Sequence, residues 1–200
     1  MLDGYRHLQA YFDAKTQRDL LTAVRKIIAA SPLYSPTMPR TGRPFSVLMT
    51  NAGGLGWVSD KSGGYRYQPT HPITHTLWPP IPSILLDLWN DVGDWPTPPQ
   101  ACLINYYANG AKMGSHVDAD EDAKNAPVVS VSLGDDAVFH VGGSKRSDKK
   151  TRTTVRSGDV IVLGNKARRA YHGIDRIVPG TSDLLDEGGR INLTLRRVTA

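Results

Sequence analysis

The sequence predicts a mainly β protein with N-terminal helices, built as a sandwich or barrel. Three observations carry this. Helical apolar spacing is confined to the first half of the chain, and after about residue 100 short strand-like runs separated by turns take over. Strands do not alternate with helices there, which argues against a parallel α/β sheet. The chain of 200 residues is 40% hydrophobic, enough for one domain with its own core.

Taken in order, Leu20, Leu21, Val24, Ile27 and Ile28 recur at helical spacing. Thr16 with Asp19 three residues later reads as an N-cap, and Pro32 forbids continuation, so a helix is expected over about 17–30. The run "SILLDLWNDVG" predicts a second helix over about 83–92, with Ser83 as cap and Gly93 as stop. Between them, about 32–82 is rich in Pro and Gly and reads as irregular, apart from a strand-like "FSVLMT". Its aromatics Trp57, Tyr65 and Tyr67 either face a ligand or pack beneath a long loop. Beyond residue 100 the expected strands are "ACLINYY", "VVSVSL", "AVFHV", "TTVR", "VIVL" and "RINLTLRRV". No repeat or linker divides the chain.

Composition excludes several classes. Lys+Arg number 24 against 19 Asp+Glu, a net charge of +5, and the pI of about 9.4 makes a polyanionic partner worth considering. The single cysteine, Cys102, allows neither an internal disulfide nor a cysteine-based zinc cluster and suits a reducing cytoplasm. No apolar run is long enough for a membrane span, and the first residues lack the pattern of an export signal, so a soluble cytoplasmic protein is expected. No G-x-S-x-G occurs and Cys102 has no evident activating partner, so no side-chain nucleophile is expected.

The segment "GAKMGSHVDADEDAKNAP" crowds Asp118, Asp120, Glu121 and Asp122 behind His116. Acids this close repel one another unless they are solvated or share a cation. A calcium loop is excluded, because Ala123 stands where that loop needs Gly and Val129 where it needs Glu. His116 and Asp118 are two apart, which on a strand would put both on one face, where they could share a metal. A second, distant His would complete the two-His-one-carboxylate arrangement of non-haem iron sites; His140 and His172 both qualify. On the last strand Ile191, Leu193 and Leu195 fall on one face and Arg190, Asn192, Thr194 and Arg196 on the other. Those arginines are either surface charges or, if enclosed, need an anion. A small dicarboxylate gripped by Arg190 is the natural one, with Leu103, Asn105 and Tyr107 as its wall.

The runs "ACLINYYANGAKMGSHVDADEDAKNAPVVSVSLGDDAVFHVGG", "SGDVIVLGNKARRAYHGI" and "RINLTLRR", with "FSVLMTNAGGLGW" and "GGYRYQP" upstream, together resemble the AlkB family of Fe(II)- and 2-oxoglutarate-dependent nucleic-acid dealkylases, in its bacterial branch. The resemblance implies a double-stranded β-helix, or jelly roll, over residues 83–200, an N-terminal helical extension over 1–31 and a nucleotide-recognition lid over 32–82. It implies Fe(II) held by His116, Asp118 and His172, which leaves His140 a packing or pocket-lining role. It further implies 2-oxoglutarate bound by Arg190 at its distal carboxylate and held or lined by Arg196, Asn192, Asn105, Tyr107 and Leu103, with O2 as the other co-substrate. Trp57, Tyr65, Asp120 and Met49 would contact the substrate, while Glu121 and Asp122 stay solvated.

The reaction so implied is oxidative demethylation of N-alkylated bases in DNA, releasing formaldehyde, succinate and CO2. The partner would be single-stranded or flipped-out alkylated DNA, met by a monomer, because a stacked base cannot reach a buried metal. The basic segments 145–156 and 166–169 would follow the phosphates. Leu163 and Ala170 depart from the family pattern, where large aromatics are frequent, and the loop after Gly143 is locally rearranged. That departure keeps an RNA- or tRNA-directed dealkylase or hydroxylase as the alternative. A non-catalytic nucleic-acid binder is a second alternative, opposed by retention of all the ligand positions.

Overall fold

The computed structural model describes residues 2–200, folded as a two-sheet jelly roll with helices on one outer face. The chain enters through β1 (Tyr5–Leu8) and α1 (Ala14–Ala30), then β2 (Leu48–Gly53) and a hairpin of β3 (Gly56–Asp60) and β4 (Gly64–Gln68). After α2 (Ser83–Val92) come β5 (Ala101–Tyr107), β6 (Met113–His116), β7 (Val128–Gly134), β8 (Asp136–Val141), β9 (Thr151–Val155) and β10 (Val160–Leu163). A 3-10 turn (Asn165–Arg169) leads into β11 (His172–Val178), and β12 (Arg190–Arg196) closes the fold. The larger sheet runs β1-β10-β7-β12-β5-β2, the smaller β6-β11-β8-β9, and every pairing is antiparallel.

Strand alternation divides the interior in two. Ile191, Leu193 and Leu195 of β12, with Cys102 and Ile104 of β5, face outward onto Leu20, Leu21, Val24 and Ile27 of α1 and Leu85, Leu88 and Trp89 of α2. The other face of the larger sheet contributes Met49, Leu103 and Tyr107 to a second cluster, where they meet Phe139, Val141 and Ile174 of the smaller sheet. The helices therefore stabilise the larger sheet from behind and leave the space between the sheets for chemistry. A fully buried apolar side chain contributes roughly 1.5–3 kcal/mol. Leu193, paired with Ile104 and Val131 at the sheet's centre and unexposed, is one.

Several expectations need correction. Helix α1 begins three residues earlier than its apolar period implies, because Asp13 is the N-cap and its Oδ1 accepts from Thr16 N at 2.7 Å. Pro82, not Ser83, precedes α2 and offers no side-chain cap. The stretch 32–82 is not irregular throughout, since it holds β2 and the β3–β4 hairpin. Nor is the N-terminal extension purely helical: β1 pairs along β10, Tyr5 opposite Leu163. Four residues are too few to show a strand period.

Candidate active site

His116 ends β6, His172 begins β11, and the two are direct partners across that antiparallel pair, with ring centroids 4.5 Å apart. Each ring has its Nδ1 against the carbonyl two residues earlier, Gly114 O at 2.9 Å for His116 and Ala170 O at 3.0 Å for His172. A carbonyl can only accept, so each Nδ1 carries the proton and each Nε2 lone pair is turned into the site. Gly173 allows the strands to close here: a Cβ on it would stand 2.5 Å from Met113 O and 2.9 Å from His140 Cε1.

Asp118 joins them, its Oδ1 3.7 Å from His116 Nε2 and its Oδ2 3.8 Å from His172 Nε2. The ligand atoms of the three residues lie within 4.8 Å of one another. Asp118 is not on the strand with His116, as its spacing suggested, because β6 stops at His116. It is brought round instead by Arg168, whose Nη1 donates to Asp118 O at 2.6 Å, and by Arg196, whose Nη2 donates to Asp118 Oδ1 at 2.9 Å. Oδ2 is buried without a partner. Burial alone would raise the Asp118 carboxyl; Arg196, with the two histidines and Arg168, outweighs it and holds the acid well below the usual carboxylate range. Burial pushes His172 down to about 4, against the pull of Asp118. A buried carboxylate beside two imidazoles that turn their Nε2 atoms toward it is the donor set of a divalent metal with an open side.

The adjoining wall is the inner face of β5 and β12. Arg190 stands opposite Tyr107, Asn192 opposite Asn105, and Thr194 opposite Leu103. Neither arginine is a surface charge: Arg190 is 3% exposed and Arg196 7%. Arg190 donates Nη2 to Ser132 Oγ at 2.9 Å, but its Nε and Nη1, Arg196 Nε and Asn105 Oδ1 are buried without partners. Burial draws the Arg190 guanidinium below its ordinary value, with Tyr107 opposing. Orphaned donors on a buried cation are costly alone and suit a carboxylate. The residues present therefore fit a metal ion with a small dicarboxylate beside it. Asn192 is the exception, because its Nδ2 already bonds Ser130 Oγ and Val131 O and its Oδ1 accepts from Thr194. It lines the wall and has no donor to offer.

The β3–β4 hairpin turns Trp57, Ser59, Tyr65 and Tyr67 to one face. Trp57 and Tyr65 stack with centroids 5.5 Å apart, and Tyr65 is 51% exposed. Asn51 fixes the strand, accepting from Trp57 N and donating to Trp57 O, both at 3.0 Å. Trp57 Nε1 donates to Oδ2 of the exposed Asp120 at 2.8 Å. Met49 is 1% exposed in the cluster beneath Trp57 and offers no surface.

Glu121, expected in solvent, is 3% exposed and ion-paired to Arg168 Nη2 at 2.9 Å; Asp122 is exposed as expected. Arg168 is likewise 3% exposed, so within 166–169 only Lys166 and Arg169 face solvent. In 145–156, Lys145, Arg146, Lys149, Arg152 and Arg156 are exposed. His140 stands apart from the three-ligand group, donating Nδ1–H to Asp175 Oδ1 at 2.7 Å. Glu121 and Arg168 are the site residues that sequence reasoning missed, and Tyr67, left open there between a ligand-facing and a packing role, joins them. Neither Glu121 nor Arg168 carried a local signal, since each sits in a run of like charges.

Residues 4–196 match the 2OG-Fe(II) oxygenase superfamily. The chain is 48% identical over 197 residues to an alpha-ketoglutarate-dependent dioxygenase AlkB homolog of Caulobacter vibrioides, covering 98% of this chain and 89% of that protein. It is 40% identical over 190 residues to alpha-ketoglutarate-dependent dioxygenase AlkB of Escherichia coli, covering 93% and 86%. Among solved structures, OsALKBH1 superposes with a TM-score of 0.83 at 30% identity, covering 98% of this chain and 99% of that one.

Proposed function

The chain belongs to the AlkB family of the 2OG-Fe(II) oxygenase superfamily, and from that premise we propose that it oxidatively demethylates N-alkylated bases in single-stranded or flipped-out DNA. Fe(II) held by His116, Asp118 and His172 would supply oxygen activation at the expense of 2-oxoglutarate, with succinate, CO2 and formaldehyde as products. The observation that carries this is the Asp118 carboxylate set between two histidines, Oδ1 toward His116 and the buried, partnerless Oδ2 toward His172, beside the partnerless donors of Arg190.

The chain's own groups divide the work. Arg190 Nε and Nη1 bind the distal carboxylate of the co-substrate, and Asn105, Tyr107 and Leu103 shape its wall. Arg196 occupies Asp118 Oδ1, so that Oδ2 is the oxygen left for metal. Trp57 and Tyr65 stack on the target nucleotide. Asp120 keeps Oδ1 free as an acceptor for an amino group on the base edge, while Trp57 holds Oδ2. The exposed cations of 145–156 track the backbone. All these groups come from one chain, so a monomer suffices. The lone cysteine, fully buried, suits a reducing cytoplasm, and no described helix is long and apolar enough to cross a membrane.

The direct test incubates the protein with Fe(II), 2-oxoglutarate and matched single-stranded DNA and RNA oligonucleotides, each carrying one N-methylated base. Loss of the methyl mass with stoichiometric formaldehyde and succinate on DNA is expected. Turnover on RNA alone would move the assignment to an RNA dealkylase, and no turnover on either would refute it.

A further inference from the structure

A buried chain of hydrogen bonds joins the hairpin to the metal-binding carboxylate. Asp118, Glu121, Arg168 and Arg196 come from three parts of the fold, and none is more than 7% exposed. Arg168 uses every nitrogen on fixed partners: Nε on Ala126 O at 2.7 Å, Nη1 on Asp118 O at 2.6 Å and Nη2 on Glu121 Oε2 at 2.9 Å. The other oxygen of Glu121 accepts from Tyr67 Oη at 2.5 Å, and Tyr67 Oη accepts from Arg196 Nη1 at 3.1 Å. Arg196 Nη2 then reaches Asp118 Oδ1 at 2.9 Å. Two acids and two arginines balance in charge, so the cluster can stay buried without an outside ion. Tyr67 is its link to the hairpin, standing directly across the strand pair from Trp57.

We propose that Tyr67 is a positioning residue: how the β3–β4 hairpin seats on the core decides, through the Arg196 bond to Oδ1, how the Asp118 carboxylate is turned between the two histidines. Nucleic acid on the hairpin and metal at the triad then bind cooperatively. This inference rests on the metal and nucleic-acid assignments made above. Glu121 and Arg168 hold the relay, because they fix where the Tyr67 hydroxyl proton goes and where the Asp118 backbone lies. Linkage requires the effect to be mutual, so that metal tightens nucleic acid by the factor by which nucleic acid tightens metal.

Tyr67→Phe is the discriminating variant. Arg196 Nη1 already lies 3.6 Å from Glu121 Oε1, so without the hydroxyl the two can pair directly. The buried charges stay satisfied while the hairpin loses its hydrogen bonds to them. The experiment titrates Co(II) into the whole protein, oxygen excluded, with and without a saturating single-stranded oligonucleotide carrying one N-methylated adenine. For the wild type a tightening of about fivefold or more is expected, the lower end of ordinary site-to-site coupling. The reverse titration should give the same factor. Tyr67→Phe should bring the ratio close to one with little change in melting temperature. Arg196→Lys, which keeps the charge but puts one nitrogen where Arg196 spans Tyr67 and Asp118 with two, should also lose it, and decides the matter if Tyr67→Phe does not fold. An undiminished ratio in these variants, or none in a wild type that binds both probes, overturns the relay. A wild type that fails to bind Co(II), or to bind the oligonucleotide, overturns instead the assignment on which the relay depends.

Discussion

Trp57 and Asp120 hold each other through an indole N–H to carboxylate bond of 2.8 Å, a residue of the hairpin tied to an acid two positions beyond Asp118. The pairing gives the exposed Asp120 side chain a fixed orientation. It also keeps the Trp57 ring stacked with Tyr65, at an interplanar angle of 23°.

Removing the ring should therefore be felt by the nucleic acid and by little else. Trp57→Ala is expected to raise the Michaelis constant for a methylated oligonucleotide roughly tenfold or more, since a stacked base contributes about 1–3 kcal/mol. Trp57→Phe keeps the stack and frees Asp120, so it should lose less. Iron and 2-oxoglutarate affinities, measured separately, should be nearly unchanged. Normal handling of the oligonucleotide by a Trp57→Ala protein of reduced stability would make Trp57 a packing residue.

Arg190 combines burial with unused donors, so binding and stability should respond to it in opposite directions. Arg190→Met fills similar space without the charge. Calorimetric titration should show 2-oxoglutarate affinity lowered by roughly 2–5 kcal/mol, the usual cost of removing one partner of a buried pair. Urea unfolding of the metal- and co-substrate-free protein should show no loss of stability, or a gain of about 1–4 kcal/mol, because a desolvated cation has gone. Unchanged affinity together with lost stability would mean that the arginine is structural.

The sequence carried six of the eight strands after residue 100, both helices and the alternation of β12, because each depends on side-chain period, which is local; β6 and β11, the strands that hold His116 and His172, it did not carry. Arg190, Asn192, Thr194 and Arg196 do share the inner face. What it could not carry was burial of charge. Glu121 and Arg168 look like surface residues in a run of acids and a run of bases, and they become interior only by meeting each other from 47 positions apart. The hairpin strands were hidden by the glycines that make their turns, and Asp118 was placed beside His116 for the wrong reason. Its position comes from two distant guanidiniums rather than from a strand.

Ligands that fill the partnerless groups should stabilise the fold. Mn(II) with 2-oxoglutarate at about one hundred times their dissociation constants, without oxygen, should add roughly 2.7 kcal/mol or more. For a chain of this size that is a rise in melting temperature of about 5–10 °C. Chelation should reverse it. His172→Ala should lose the response to metal, and a response retained there but lost in His140→Ala would displace His172 from the metal site.

Cys102 gives a prediction about alkaline pH. The thiol is unexposed, between Ala52 and Leu195 on the neighbouring strands, and burial pushes its pKa from 9.0 to about 12, with Arg196 opposing. The folded state therefore favours the neutral thiol. Below pH 9 both folded and unfolded chains hold the proton and the stabilisation is fully present; above it the unfolded chain ionises first, so stability falls as pH rises toward 12. The largest slope one group can contribute is about 1.4 kcal/mol per pH unit. Cys102→Ala should make unfolding free energy less dependent on pH in that window, by up to one proton. At pH 8 a thiol reagent should label the wild type only as fast as the protein unfolds. Labelling of the folded protein at the rate of a free thiol would show that Cys102 is open to solvent, and would remove the basis for the pH dependence.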